Sequence, residues 1–323
     1  MNDRIAKVLQ MRVPLKIGTM TDAFQPIERT YRTTLKVLRA LNREKYPIII
    51  NTKGVMVSDE PYISLLSSMP SVVQFSIPTP TNITSKAFEP GAPLTSHRFD
   101  AMRKLSDSGV NTQVRIAPMI LGISDDIESL ESIISKAYSS GAKDVLFSYL
   151  KINKTEKMVR ALSRAVGCDN YLDWITHLGY ETMVTGTEVR VVDEVYIAKI
   201  LEVKRICDKY NMGCYPGYNI LNLHPWKSCC GVERYQGFEN LMNWVLMVRG
   251  WKIKDHTTFA EYIRGSGCPY TADFKRKWDK GQYEGLIAGL VFNPEDKTYS
   301  RVPPAEWSMY KEIRDDSKAS RRK

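Results

Sequence analysis

The sequence lacks several features that would assign the protein to a specialised class. The first cysteine is Cys168, so residues 1–167 offer no thiolate for a metal cluster or a disulfide. No run of about 18 consecutive apolar residues occurs, so no membrane span is expected. The N-terminal sequence MNDRIAKVLQMRV lacks the charged-then-apolar layout of a signal peptide, and we therefore expect a cytoplasmic protein.

The composition is that of a globular protein with an excess of positive charge. Of the 323 residues, 43% are hydrophobic and 25% charged, enough for one large domain or two ordinary ones. The formal net charge of +10 favours a polyanionic partner such as DNA or RNA. The alternative is a basic protein with a scattered surface, because the basic residues are dispersed except in the tail SKASRRK.

Short apolar runs alternate with amphipathic stretches over the first half of the chain. The predicted strands are VPLKIGTM, YPIIINTK, SVVQFSIPT, NTQVRIAPMI and AKDVLFSYL. Strands that alternate with helices indicate an α/β fold with a parallel sheet. We predict a barrel-like unit over residues 1–152, a mainly helical region over 153–314 and a disordered basic tail over 315–323.

Polar residues stand where these strands end, and functional sites form at such ends in parallel sheets. Thr19, Thr21 and Asp22 follow the first strand, although Asp22 also fits a helix N-cap. Lys53 follows the second strand and must meet an anion or reach solvent. Ser76 ends the third strand and is uninformative by itself.

Two further motifs flank the helix between the third and fourth strands. Glu89 begins a Glu-Pro-Gly sequence that fixes a tight turn, and Arg98 can pair with this glutamate. Ala117 precedes a proline at the end of the fourth strand, where a small residue lets a ligand approach the backbone. Each motif also has a simpler interpretation, as a plain turn or a strand terminator.

Taken in order, the motifs T(M)TD…E, TK, FSI, FEPG…R and APM resemble those of the radical S-adenosylmethionine superfamily. The similarity covers roughly residues 14–150 and is greatest to the branch of DNA-repair photolyases that includes spore photoproduct lyase. It implies a partial TIM-like (β/α) barrel that lacks its first βα unit here. It also implies S-adenosylmethionine and a [4Fe–4S] cluster as cofactors, which together generate a 5′-deoxyadenosyl radical.

The resemblance assigns cofactor contacts residue by residue. Thr19 or Thr21 is similar to a residue that touches the methionine part of the cofactor. Lys53 resembles the contact to the carboxylate or ribose, Ser76 a further contact, and Ala117 the residue whose backbone pairs with adenine. A zwitterionic cofactor requires such a cation, such hydroxyls and such a small residue. Asp22, Glu89 and Arg98 complete the predicted cofactor site.

The sequence departs from the family at the cluster. The family holds its cluster in a C-x3-C-x2-C loop after the first barrel strand, and no such loop precedes the TD strand here. Three explanations remain open: a second polypeptide supplies the cluster loop, the barrel survives as a binding scaffold, or C-terminal cysteines build another metal site. The candidate ligands of that third site are Cys207, Cys214, Cys229 and Cys230.

The leading functional hypothesis is a radical S-adenosylmethionine enzyme, or the larger subunit of a split one, that repairs or modifies nucleic acid. One alternative is a non-catalytic scaffold derived from such a barrel. Another is a radical enzyme that acts on a peptide or a small molecule.

Overall fold

The structure, a computed structural model, describes residues 9–10, 12–153, 155–217, 230–238, 290–293 and 298–301. The chain divides into two compact units. One comprises Leu15–Ile220 with Cys229–Gly231, and the other comprises Met1–Pro14, Leu221–Ser228 and Val232–Lys323. Within the described ranges, no helix is long and apolar enough to cross a membrane.

Six parallel strands form the main sheet of the first unit. In chain order they are β1 (Leu15–Ile17), β2 (Ile48–Thr52), β3 (Ser71–Ser76), β4 (Asn111–Met119), β5 (Asp144–Tyr149) and β9 (Gly213–Pro216). Their order in the sheet is β1-β2-β3-β4-β5-β9, and every neighbouring pair is parallel. The predicted α/β fold with a partial parallel barrel is therefore confirmed.

Helices connect the strands of this sheet. They are α1 (Glu28–Tyr31), α2 (Thr33–Arg43), α3 (Tyr62–Ser67), α4 (Asn82–Phe88), α5 (Thr95–Asp107), α6 (Ile127–Ser139), α7 (Glu156–Val166), α8 (Tyr171–His177) and α9 (Asp193–Lys209). Side chains fix several helix starts: Thr81 accepts from the amide of Thr84 at the start of α4, and Asp126 from that of Ser129 at α6.

The two faces of the sheet differ in polarity. The thiols of Cys214 in β9 and Cys207 in α9 form a hydrogen bond, and both cysteines are free. The face of the sheet that carries Cys214 therefore lies against the helices. The register places Val145, Val114 and Phe75 in one row with Cys214, and all three are fully buried. Each such side chain contributes about 1.5–3 kcal/mol by leaving water. The opposite face, called here the inner face, carries the polar residues described below.

The region after residue 152 differs from the predicted domain layout. The sixth strand of the barrel sheet, β9, lies at Gly213–Pro216, although the sequence favoured a helix stop at Gly213. The chain between β5 and β9 contains a separate three-stranded sheet in the order β6-β8-β7. Its strands are β6 (Ile152–Asn153), β7 (Thr182–Thr185) and β8 (Glu188–Val191). The boundary at residue 152 is therefore wrong, because β9 pairs with β5 across more than sixty residues of chain.

The second unit contributes short described elements. Val232–Arg234 form a 3-10 turn, and β10 (Leu290–Asn293) pairs antiparallel with β11 (Thr298–Arg301). The predicted helix ENLMNWVLMVRG and the tail over residues 315–323 lie outside the described residues.

Candidate cofactor site at the carboxyl ends of the strands

Asp22 joins the loop after β1 to the end of β2. Its Oδ1 accepts hydrogen bonds from the amide of Phe24 at 2.9 Å and from the hydroxyl of Thr52 at 2.7 Å. Its Oδ2 accepts from the amide of Lys53 at 2.6 Å. Because these donors come from both loops, the carboxylate holds the loop after β1 against the end of β2. Its assignment to the cofactor site stays a prediction.

Thr19 and Thr21 stand on the same loop as Asp22, and both are exposed. Among the described residues, neither side chain has a hydrogen-bond partner. Their assignment to the methionine part of a cofactor stays a prediction.

Lys53, Glu89 and Arg98 form a continuous ion triad at the strand ends. The two oxygens of Glu89 lie 2.6 Å from Nζ of Lys53 and 2.7 Å from Nη1 of Arg98. The side chain of Lys53 is 40% exposed, whereas those of Glu89 and Arg98 are 8% and 0% exposed. The pairing of Arg98 with Glu89 that the sequence suggested is confirmed, and Lys53 is the member of the triad that faces solvent.

Arg98 uses its remaining donors to hold the surrounding backbone. Its Nη1 donates to the carbonyl of Ser76 at 2.8 Å, and its Nε donates to the carbonyl of Pro93 at 2.7 Å. A guanidinium removed from water requires such saturation, because an unpaired buried charge is very costly. Arg98 therefore fastens the loop that contains Glu89 to the end of β3.

Ser76 and Ala117 meet between β3 and β4. The hydroxyl of Ser76 donates to the carbonyl of Ala117 at 3.2 Å. The pairing of β4 with β5 shifts register between Ile116 and Met119, so Ala117 leaves the regular ladder at this point. The structure thus brings Lys53, Ser76 and Ala117 to the carboxyl ends of neighbouring strands, as the strand-end motifs predicted. The side chain of Ala117 at this point is only a methyl group.

A buried polar row on the inner face was not found from the sequence. Nε2 of Gln74 donates to Oε1 of Gln113 at 2.6 Å, and Nε2 of Gln113 donates to Oδ2 of Asp144 at 2.6 Å and to the carbonyl of Cys230 at 2.9 Å. All three side chains are fully buried. Each of the segments SVVQFS, NTQVRI and KDVLF contains one of these residues, and the parallel register of the three strands aligns them.

A second buried carboxylate marks the ends of β4 and β5. Asp125, which is 1% exposed, accepts hydrogen bonds from the hydroxyls of Tyr149 at 3.0 Å and Tyr180 at 2.9 Å. It also accepts from the amide of Gly122 at 2.8 Å. Burial first, and then the charge of Asp125, raise the pKa of both phenols above the ordinary value. This cluster anchors the chain segment around Tyr180 to the barrel.

The proposed C-terminal metal site does not assemble from the described residues. Cys207 and Cys214 contact each other on the helix face, whereas the carbonyl of Cys230 bonds to Gln113 on the inner face. No three His, Cys, Asp or Glu side chains within the described ranges are grouped to hold a metal ion. Cys207, Cys214 and Cys230 are therefore not grouped as metal ligands within the described ranges. Because Cys229 lies outside the described residues, the four-cysteine site stays a prediction.

The strand-end residues fit the amino-acid end of S-adenosylmethionine. The ammonium of Lys53 adjoins the carboxylate of Glu89, and this pair of charges complements the carboxylate and ammonium of an amino acid. Ala117 is partly exposed and carries only a methyl group at a strand end. The described residues do not fit a [4Fe–4S] cluster, because no group of three thiols is present among them.

No protein-family model matches the chain. An uncharacterized protein of Mycobacterium tuberculosis is 26% identical over 136 residues, which is 42% of this chain and 40% of that protein. An uncharacterized protein of Methanocaldococcus jannaschii is 23% identical over 195 residues, or 59% of this chain and 69% of that protein. The chain thus matches less than half the length of the mycobacterial relative.

Solved structures of spore photoproduct lyase share the fold. The C140S mutant superposes with a TM-score of 0.50 at 16% identity, over 67% of this chain and 66% of that chain. The lyase complexed with dinucleoside spore photoproduct superposes with a TM-score of 0.50 at 18% identity, over 66% of this chain and 64% of that chain. The chain therefore shares the fold of spore photoproduct lyase over about two thirds of its length.

Proposed function

We propose that this chain is the barrel of a radical S-adenosylmethionine enzyme that acts on nucleic acid. One observation carries the proposal: Lys53, Glu89, Ser76 and Ala117 are joined by direct contacts, through Arg98, at the carboxyl ends of β2, β3 and β4. These are the positions at which the family motifs place cofactor contacts. The fold supports the same assignment, because ligands of open parallel sheets bind at the carboxyl ends of the strands.

Each of these residues has a separate task in holding the cofactor. Lys53 supplies an exposed cation for the carboxylate of S-adenosylmethionine. Glu89 holds the ammonium of Lys53 in place and offers an acceptor to the amino group of the cofactor. Arg98 fixes Glu89 and the end of β3 without facing the ligand. Ala117 leaves room for the base. Held there and given one electron by a reduced [4Fe–4S] cluster, S-adenosylmethionine would supply a 5′-deoxyadenosyl radical and release methionine.

We place the cluster cysteines in a second polypeptide that docks beside β1. Within the described part of the chain, β1 pairs with β2 and with no other strand. Leu15 is 38% exposed and Lys16 is exposed, whereas strands of parallel sheets are normally covered on both faces. An edge of this kind accepts a further strand.

Two observations support nucleic acid as the substrate class. The net charge of +10 favours a polyanion. One of the solved structures with the same fold is spore photoproduct lyase complexed with a dinucleoside spore photoproduct.

Calorimetric titration with S-adenosylmethionine tests the cofactor site without any turnover. Lys53→Met should weaken binding about tenfold or more, because a hydrogen bond to a charged group contributes about 1.5–3 kcal/mol. Lys36→Met, on the exposed side of α2, is the matched control and should bind like wild type. Equal affinity of the two variants, or no saturable binding to the wild-type protein, contradicts the assignment.

A non-catalytic scaffold is the second candidate, favoured by the absence of cysteine from residues 1–167. Anaerobic purification alone and with co-expressed neighbouring gene products distinguishes the two. The enzyme proposal predicts iron, sulfide and reductive cleavage of S-adenosylmethionine in one pairing. If the protein binds oligonucleotides but neither iron nor cleavage of S-adenosylmethionine is found in any pairing, the enzyme proposal fails and the scaffold is the remaining candidate.

A further inference from the structure

A groove of about 500 Å³ lies between α5 and α6. It begins at the loop of residues 80–82, which follows β3, and runs between the two helices. Its lining is polar apart from Phe99 and Pro80 and contains hydroxyl, amide and charged side chains. No residue of the candidate cofactor site contributes to it.

Hydrogen bonds fix the upper wall of this α5–α6 groove to the end of β3. Nδ2 of Asn82 donates to Oγ of Ser96 at 3.0 Å, and the amide of Ser96 donates to Oδ1 of Asn82 at 2.9 Å. The hydroxyl of Thr95 donates to the carbonyl of Thr79 at 3.1 Å. Since Ser76 ends β3 three residues before Thr79, the groove opens beside the same strand end as the candidate cofactor site.

One cation projects from each helix that forms the groove. Arg103 of α5 and Lys136 of α6 are both exposed. Nζ of Lys136 lies 3.4 Å from the carbonyl of Pro80, a long contact that an anion can replace. Among the described residues, the guanidinium of Arg103 has no hydrogen-bond or ion-pair partner. Asp100 is the acid in the lining, so the groove carries an excess of positive charge.

This combination of groups suits a chain of phosphodiesters. Arginine, lysine, serine and asparagine are among the side chains that donate hydrogen bonds to the phosphates and sugars of nucleic acids. Two cations on opposite walls, with hydroxyl and amide donors between them, can hold successive phosphates of one strand.

We propose that the α5–α6 groove binds the phosphodiester backbone of a nucleic-acid strand whose reacting unit enters the barrel. The proposal rests on the proposed function, because it takes nucleic acid as the substrate. Beyond that function, the proposal states where the nucleotides next to the reacting unit lie on the protein. It also implies that the substrate is longer than the unit that reacts.

Salt-dependent binding of a fluorescently labelled single-stranded oligonucleotide tests the groove directly. Each phosphate contact to a single strand contributes about 0.7 to the slope of log affinity against log salt concentration. The double variant Arg103→Ala/Lys136→Ala should therefore reduce the slope by about 1.4. The double control Lys36→Ala/Lys104→Ala removes the same charge from exposed positions outside the groove and should leave the slope near the wild-type value.

Two additional measurements sharpen the result. Asp100→Asn should tighten binding, because it removes the acid from the lining. A dinucleotide should bind the groove variant and the wild type equally, because it does not extend from the barrel into the groove. Circular dichroism and thermal melting check that the exposed substitutions leave the fold unchanged.

The outcomes separate this inference from the function on which it rests. If the wild type binds the oligonucleotide and the groove variant keeps the slope of its control, the groove is refuted while nucleic-acid recognition stands. If the wild type does not bind at any salt concentration, both fail. If poly-glutamate displaces the oligonucleotide equally well at matched charge, the groove is a surface for acidic proteins and the proposal is overturned.

Discussion

Replacing Glu89 by glutamine should destabilise the protein far more than removing the lysine that the same carboxylate contacts. Glu89→Gln retains the shape of the side chain but removes the charge that faces Arg98, which is 0% exposed. Breaking a buried ion pair from one side costs about 3–5 kcal/mol. Glutamine keeps one acceptor, and Arg98 retains the carbonyls of Ser76 and Pro93, so we expect a loss of about 2–3 kcal/mol.

Lys53→Gln is the matched comparison, because Lys53 contacts the other oxygen of the same carboxylate at 2.6 Å. With 40% of its side chain exposed, the lysine belongs to the class of solvated pairs that contribute about 0–1 kcal/mol. The two variants therefore separate the buried half of the triad from its exposed half.

Urea unfolding followed by circular dichroism measures both effects. With a slope of about 2 kcal/mol per molar urea, Glu89→Gln should lower the midpoint by about 1–1.5 M, and Lys53→Gln by less than about 0.5 M. Equal midpoints for the two variants would show that the charge of Glu89 does not support Arg98, and the structural role given to Arg98 would be abandoned.

Three other substitutions or modifications test separate parts of the structure. Glu28→Gln should lower the free energy of unfolding by about 1–3 kcal/mol at neutral pH. Burial raises the pKa of Glu28, but the hydrogen bonds that its carboxylate accepts outweigh burial and lower that pKa. In urea unfolding, the difference between the wild type and this variant should therefore shrink as pH falls below 4.5. Gly213→Ala should lower the melting temperature, since its methyl group would stand 2.1 Å from Oδ1 of Asp144. Iodoacetamide should modify Cys207 more slowly than Cys168 in peptide mapping, because the hydrogen bond to its neighbouring thiol and burial raise its pKa.

Each of these tests has an internal control. Glu128→Gln removes an exposed acid at the start of α6 and should not reproduce the pH dependence. Gly91→Ala adds a methyl group with no atom within 4 Å and should leave the melting temperature unchanged. Full denaturation should equalise the alkylation rates of the two cysteines, and a difference that persisted would contradict burial as its cause.

The sequence predicted the first five strands because their signals are local. Each strand contains apolar residues and lies between turn signals, and the motifs TK, FSI and APM mark the points at which β2, β3 and β4 end. Parallel strands present these ends on one edge, so the meeting of Lys53, Ser76 and Ala117 followed from the pattern alone.

The features that were missed depend on pairing between distant segments. The strand Gly213–Pro216 has four residues and ends in proline, and its identity as a strand comes from contact with β5. The hydrogen bonds among Gln74, Gln113 and Asp144 depend on the register of three strands. A single polar residue in an apolar run has no such meaning until its neighbours across the sheet are known.

The residues with the clearest sequence signal are not those that best report on ligand binding. Glu89 and Arg98 stand out in the FEPG…R motif, yet their contacts tie one loop to the end of β3 and leave Arg98 with no exposed atoms. Loss of activity after their replacement would therefore mix misfolding with loss of binding. Lys53 is the member of the triad whose side chain reaches solvent, so its substitution separates cofactor recognition from the stability of the site.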